Sequence, residues 1–120
     1  MDAIAPPAGS PVTQTPAEVV ERQLAAYNAH DLEAFAGCYA EETRIDYPDG
    51  SVIQGRDAVR EAYAAQFAEG RCRAEIAGRL TEGGWVVDHE VAHGLAEEPV
   101  RLLVAYRVTD GLIDRVRFLR

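Results

Sequence analysis

Few groups in this chain could move a proton or hold a ligand, and strand parity places most of them. Two histidines, His89 and His93, stand four residues apart in the run from Trp85 to Gly94. Imidazole titrates near neutral pH and an apolar setting lowers its pKa, so an inward histidine suits general acid or base work. On a strand, Trp85, Val87, His89, Val91 and His93 point one way and Val86, Asp88, Glu90 and Ala92 the other. The first set is read as facing the interior, with His89 near mid-strand. The alternative role for His89 is a core histidine donating to a tyrosine such as Tyr39 or Tyr63, since buried polar groups need partners in any case. Two same-face strand residues four apart lie about 13 Å from each other, so His89 and His93 do not share a metal ion. Tyr27, Tyr39, Tyr47 and Tyr63 each join an apolar ring to a hydroxyl, and Tyr47 is the candidate donor to a developing oxyanion.

By the same parity Leu102, Val104, Tyr106 and Val108 point inward, as do Leu112, Asp114, Val116 and Phe118. Asp88 and Glu90, with Arg71, Arg73, Arg79, Arg101 and Arg107, fall on the opposite, outer face as cross-strand charge pairs. That face also carries Val86, Ala92, Leu103 and Ala105. Cys38 and Cys72 lack metal spacing and read as buried free thiols, which suits a reducing cytoplasm. No phosphate-binding glycine loop, activated serine or cysteine–histidine pair with recognisable context occurs, so no cofactor is implied.

The elements that position these groups follow from periodicity. Residues 1–14 hold several prolines among Ala, Ser, Thr and Gly and read as a flexible tail, and residues 15–120 as one domain. Met1 to Pro7 carry an acid where a signal peptide needs positive charge, which leads to the expectation of a cytoplasmic protein. Thr15-Pro16-Ala17-Glu18 forms a capping box, and Val20, Leu24 and Tyr27 with Gln23 beside them recur at helical spacing. Asn28-Ala29-His30-Asp31 breaks that helix, leaving His30 exposed. A second helix has the inner stripe Leu32, Phe35, Ala36 and Tyr39. Thr43 to Tyr47 and Ser51 to Gln54 flank a Pro-Asp-Gly turn, and a third helix after Gly55 shows Val59, Tyr63 and Phe67 on one face. From Arg71 the period becomes two, with Cys72, Ala74, Ile76, Gly78 and Leu80 on one side. Three further strands follow, the last pair joined at Asp110-Gly111. Helices followed by a long meander give an α+β domain, a cone of curved mixed or antiparallel sheet wrapped around three helices.

With 120 residues, 48% hydrophobic and 27% charged, the chain has room for one core. Its net charge of -8 disfavours a phosphate backbone and favours an uncharged or cationic ligand.

The string from Val19 to Phe35 resembles the opening of the SnoaL-like and ketosteroid-isomerase-like branches of the nuclear transport factor 2 superfamily. So do Tyr47-Pro48-Asp49-Gly50, Gly55 to Tyr63 and Tyr106 to Ile113. The resemblance covers about Glu18 to the C-terminus and implies the cone, a mainly apolar pocket and a homodimer through the outer sheet face. Ketosteroid isomerisation needs a carboxylate base and two oxyanion donors. Gln23 stands where the donor tyrosine would sit, Tyr47 where the base would precede its proline, and Val104 near the aspartic acid donor. That chemistry is therefore not expected. The pocket is expected to bind a small, mainly apolar molecule through Gln23, Tyr39, Tyr63, Trp85, Val104 and Val116. His89 and Tyr47 would catalyse isomerisation, cyclisation or hydration without a cofactor or metal. The competing class is a non-catalytic ligand-binding or dimerisation module. Neither nucleic acid nor membrane is an expected partner.

Overall fold

The computed structural model describes residues 14–119, so the expected tail lies outside the described residues apart from Gln14. Three helices come first or among short strands: α1 (Pro16–Asn28), α2 (Leu32–Ala36) and α3 (Arg56–Glu69). The strands are β1 (Tyr39–Asp46), β2 (Val52–Gln54), β3 (Arg73–Glu82), β4 (Trp85–His93), β5 (Val100–Thr109) and β6 (Leu112–Leu119). They form one curved, open sheet in the order β2-β1-β6-β5-β4-β3, antiparallel except where β1 runs parallel to β6. The helices pack on its concave side, α1 across β3 to β6 and α3 across β1 and β2.

Local chemistry explains the boundaries. At the start of α1 the Glu18 amide donates to Thr15 Oγ1 (3.2 Å) while the Thr15 amide donates to Glu18 Oε1 (2.8 Å), the reciprocal capping box. The β5–β6 hairpin turns at Asp110 and Gly111 with φ of 53° and 79°, both left-handed, as a two-residue turn between right-twisted strands requires. α2 ends at Ala36, so Tyr39 opens β1 and does not continue the helical stripe. The Gly37 amide closes the helix by donating to the Glu33 carbonyl at 2.9 Å.

The break after α1 has a structural task. β3 is an edge strand, and the Ala74 amide and carbonyl that face away from β4 are taken up by the Asn28 side chain, at 2.8 and 3.0 Å. His30, half-buried and at φ 57°, places Nε2 2.7 Å from the Cys72 carbonyl oxygen, and so is not the exposed residue expected. The end of α1 thus covers the start of an edge strand that would otherwise be open to pairing there.

Two bulges reset side-chain parity. In β3 the register slips between Ile76 and Gly78, so Ala74 and Ile76 face the helices but Leu80, 75% exposed, faces out. In β6 an extra residue between Ile113 and Arg115 turns Ile113 inward, and Asp114 leaves the interior to form a two-bonded pair with Arg107 (2.9 and 3.1 Å).

The largest change concerns β4. Its register sets Val86 opposite Tyr106, Asp88 opposite Val104 and Glu90 opposite Leu102. Residues opposite each other in an antiparallel pair share a face, so Val86, Asp88, Glu90 and Ala92 point inward. Trp85, Val87, His89 and His93 point out. Asp88 is 1% exposed, and after the β3 bulge Arg79 meets it with two hydrogen bonds (2.6 and 3.0 Å) and reaches Glu21 on α1 at 2.9 Å. The expected outer-face pairing of Asp88 and Arg79 is thereby corrected to a buried pair under α1.

Removing one partner of a buried pair strands the other charge. Arg79→Leu should therefore lower unfolding free energy by about 3 kcal/mol, and adding Asp88→Leu should restore most of it. Urea denaturation checks both, and a double variant as unstable as the single one would refute the stranded-charge account.

Candidate functional site

Between the helices and the concave sheet lies a cavity of about 600 Å³, within the usual size of a small-molecule site. All five tyrosines of the chain line it, joined by Phe35 and Phe118. α1 supplies Gln23 and Tyr27 because these positions lie on its buried face. Tyr39 enters from the start of β1 and Tyr47 from just beyond its end; Tyr63 and Gln66 come from α3, Glu90 from β4, Tyr106 from β5, and Val116 and Phe118 from β6. Exposed Pro48, Asp49 and Leu95 form the rim.

Edge-on and tilted ring contacts hold the aromatic wall. Phe35 is its hub, 4.9 Å from Tyr63, 5.2 Å from Tyr39 and 6.0 Å from Tyr27 between ring centroids. Tyr47 stacks on Phe118 at 4.9 Å with 9° between the planes. The hydroxyls are ordered by short links. Tyr27 Oη donates to Gln66 Oε1 at 2.7 Å, and the Tyr47 and Tyr63 hydroxyls stand 3.3 Å apart. Gln23 Nε2 donates to Tyr39 Oη at 3.2 Å, which leaves the Tyr39 hydrogen free to point elsewhere. Burial raises the Tyr39, Tyr63 and Tyr106 phenols well above their ordinary value and raises Tyr47 as well. They are therefore neutral donors, not anions, at ordinary pH.

Glu90 is the acid of the cavity floor. Desolvation, and then the charge of nearby Asp88, push its carboxyl from 4.5 up to about 7. Among the described residues no cation or hydrogen-bond donor holds it. Several other sheet carboxylates are paired: Asp46 with Arg44 and Arg115, Asp88 with Arg79, Asp114 with Arg107, Glu75 with His93. A carboxyl poised near neutrality and facing an apolar space can take up or release a proton on whatever occupies it.

The residues expected at the site divide. Gln23, Tyr39, Tyr47, Tyr63 and Val116 meet around the cavity. His89 does not: it is exposed on the outer face, and so is Trp85, 41% exposed with the Arg107 guanidinium 5.9 Å from its ring centre. The physical reason is the β4–β5 register, which turns the odd-numbered residues of β4 away from the helices. His93 goes with them and lies 2.8 Å from Glu75. Val104 points inward but is fully buried beneath the cavity and does not line it. Of the further site residues, Glu90 corrects an expected outer-face position, Tyr106 was expected inward but not at the site, and Gln66 gave no signal in the sequence. The signal available for Glu90 was its same-face neighbour Asp88, which needs Arg79 at the one β3 position a bulge near Gly78 can supply. Cys38 and Cys72 are buried free thiols outside the cavity lining. No group of three metal-binding side chains occurs among the described residues, nor any helix long and apolar enough to cross a membrane.

Glu90 also makes stability depend on pH. Its folded value lies above its unfolded one, so charging it opposes folding: stability falls as pH rises from 4.5 through about 7. At about 1.4 kcal/mol per tenfold, the full cost is roughly 3 kcal/mol above that range. Glu90→Gln should be more stable than the parent by about 2 kcal/mol at pH 8 and nearly equal to it at pH 4. Urea unfolding at the two pH values measures this, and an unchanged pH slope in the variant would assign the effect to another group.

Residues 20–116 match the SnoaL-like domain. No protein of curated function matches the chain. Among solved structures, an uncharacterised cystatin-fold protein from Novosphingobium aromaticivorans superposes with a TM-score of 0.78 at 24% identity, over 89% of this chain and 99% of that one. A computationally designed 17-OHP binder gives 0.78 at 25% identity, over 89% and 94%. SalBIII, an epoxide hydrolase/cyclase-like enzyme of pyran ring formation in the polyether salinomycin, gives 0.77 at 20%, over 87% and 88%. With three helices on a curved open sheet and a family match over most of its length, the chain belongs to the SnoaL-like domain family of nuclear-transport-factor-2-like proteins.

Proposed function

We propose that the cavity binds a small, mainly apolar molecule and that Glu90 exchanges a proton with it, without a cofactor. The observation that carries this reading is the Glu90 carboxyl, unpartnered among the described residues and held near neutrality inside an aromatic wall. Gln23 donates to the Tyr39 oxygen, which strengthens the Tyr39 hydroxyl as a donor to a ligand oxygen. Tyr47 and Tyr63 supply a second pair, in which one hydroxyl donates to the other and the remaining hydrogen is free. Base and neutral donors around one space are the parts of a proton-transfer site. The likeness to a cyclase-like enzyme and to a designed binder supports small-molecule use of this scaffold. Catalysis at this site would pass through Glu90 and the tyrosines and leave His89 outside it.

Turnover is sought with a panel of cyclic ketones, enones and epoxides. For any substrate found, Glu90→Gln should lower kcat/KM by about a hundredfold or more, the usual worth of a general base. The parent's kcat/KM should rise with pH through about 7, as expected for a base that must be charged. His89→Ala should leave turnover unchanged. Full activity in Glu90→Gln would remove this reading.

We also propose a homodimer through the outer sheet face. Leu80, Trp85, Leu103 and Leu119 are 75%, 41%, 45% and 40% exposed, and Leu103 stands directly opposite Leu119. Such a stretch of apolar side chains on one face favours cover by a second copy. The buried free thiols fit a reducing, cytoplasmic setting. Sedimentation at low micromolar concentration should show a species of twice the 13.1 kDa chain, and a solely monomeric boundary would refute the interface.

A further inference from the structure

The chemistry of the cavity wall discriminates among apolar molecules by charge. Of the described residues that line it none is Lys, Arg or His, whereas two are acids, Glu90 on the floor and Asp49 on the rim. An anionic ligand would therefore enter with no counterion. The five tyrosines and two phenylalanines present ring faces and edges, and a ring face attracts a cation positioned over it within about 6 Å. The protein's net charge of -8 draws cations toward it from solution. Above all, Asp88, the carboxylate beside Glu90, is already satisfied by Arg79, and Glu90 has no such partner among the described residues. Its vacant acceptor sites lie where a ligand's N–H groups would come.

We propose that the cavity takes a lipophilic amine, bound as its ammonium ion against the Glu90 carboxylate with its apolar body among the tyrosines. This rests on the reading of the cavity as a ligand site in which Glu90 exchanges a proton, and it names the ligand's half of that exchange. When the carboxyl is protonated, a free amine entering the cavity takes the proton. The Glu90 O–H bond breaks, an N–H bond forms on the nitrogen lone pair, and the product is an ammonium–carboxylate pair of no net charge. The groups facing Glu90 set the balance: Asp88 beside it, held by Arg79 of β3 with Glu21 of α1 behind, and the Tyr27 and Tyr106 phenols of α1 and β5. Asp88 opposes a bare carboxylate, so a ligand cation relieves a repulsion that the fold leaves in place.

The test uses the full chain, isothermal titration calorimetry and three rigid probes of one shape: 1-adamantanamine, 1-adamantanol and 1-adamantanecarboxylate. At pH 8 the amine should bind at least about tenfold tighter than the alcohol and the carboxylate should bind worst, since about 1.4 kcal/mol of charge pairing is worth that factor. In Glu90→Gln the amine should lose its advantage over the alcohol, with circular dichroism checking the fold. In the parent protein the amine's advantage should shrink at pH 6, where Glu90 is mostly protonated, although the amine itself stays charged in water at both pH values. Equal binding of amine and alcohol, or tighter binding of the carboxylate, overturns the amine assignment and leaves the cavity as a ligand site. Binding of none of the three overturns the ligand site itself, and the amine assignment with it.

Discussion

The pairing of β4 with β5 sets Asp88 against Val104 and Glu90 against Leu102, and the cavity's polarity depends on it. Because side chains alternate across a strand, a slip of one residue would send both acids to the outer face and bring His89 and Trp85 in. The observed register is costly unless the acids are satisfied, and the structure meets that cost unevenly. Asp88 is answered in full by Arg79, which the β3 bulge swings under α1 and which Glu21 steadies from the helix. Glu90 is not answered, and its carboxyl responds by holding its proton to higher pH. One buried acid is paired, and the next one along the same face keeps no partner among the described residues.

The aromatic wall and the sheet edge follow from the same arrangement. Phe35, on a helix of only five residues, gains its place by packing three tyrosine rings around itself, so α2 is held by tertiary contact more than by its own hydrogen bonds. Asn28 and His30 stitch the end of α1 to β3 through Ala74 and Cys72. That stitch keeps α1 close to the acids it covers, with Tyr27 and Gln23 on its inner face. A helix displaced from the edge would open the cavity floor to water and return Glu90 toward the ordinary carboxylate range.

Mismatch gathers at β1, the strand that delivers Tyr39 to the site. Between Tyr39 and Arg44 the pairing of β1 with β6 is irregular, and Thr43 in that stretch keeps a buried hydroxyl with no partner among the described residues. The same stretch delivers Tyr39 to the cavity before regular pairing resumes at Arg44. An unsatisfied buried hydroxyl costs on the order of 1–3 kcal/mol, a sacrifice that goes with a backbone shaped to deliver a side chain rather than to complete a ladder.

The sequence by itself determined the element order, the capped first helix, the Asp110-Gly111 hairpin and the family scaffold, because these rest on short-range periodicity and on turn residues with few allowed conformations. Gln23, Tyr39, Tyr47 and Tyr63, expected at the pocket, do line the cavity, although Tyr39 enters from β1 and not from the second helix. The tertiary structure decided which face of β4 looks inward. Val86, Asp88, Glu90 and Ala92 alternate with Trp85, Val87, His89, Val91 and His93, so hydrophobicity along the strand favours the second set for the interior, and the six-residue loop from Gly94 to Pro99 is too long to fix the register of the strand after it. Cross-strand partners, and a bulge that brings Arg79 to Asp88, settled the matter. Those contacts exclude His89 and admit Glu90, because the alternation of a strand says that two sets of side chains face apart but never which set meets the core.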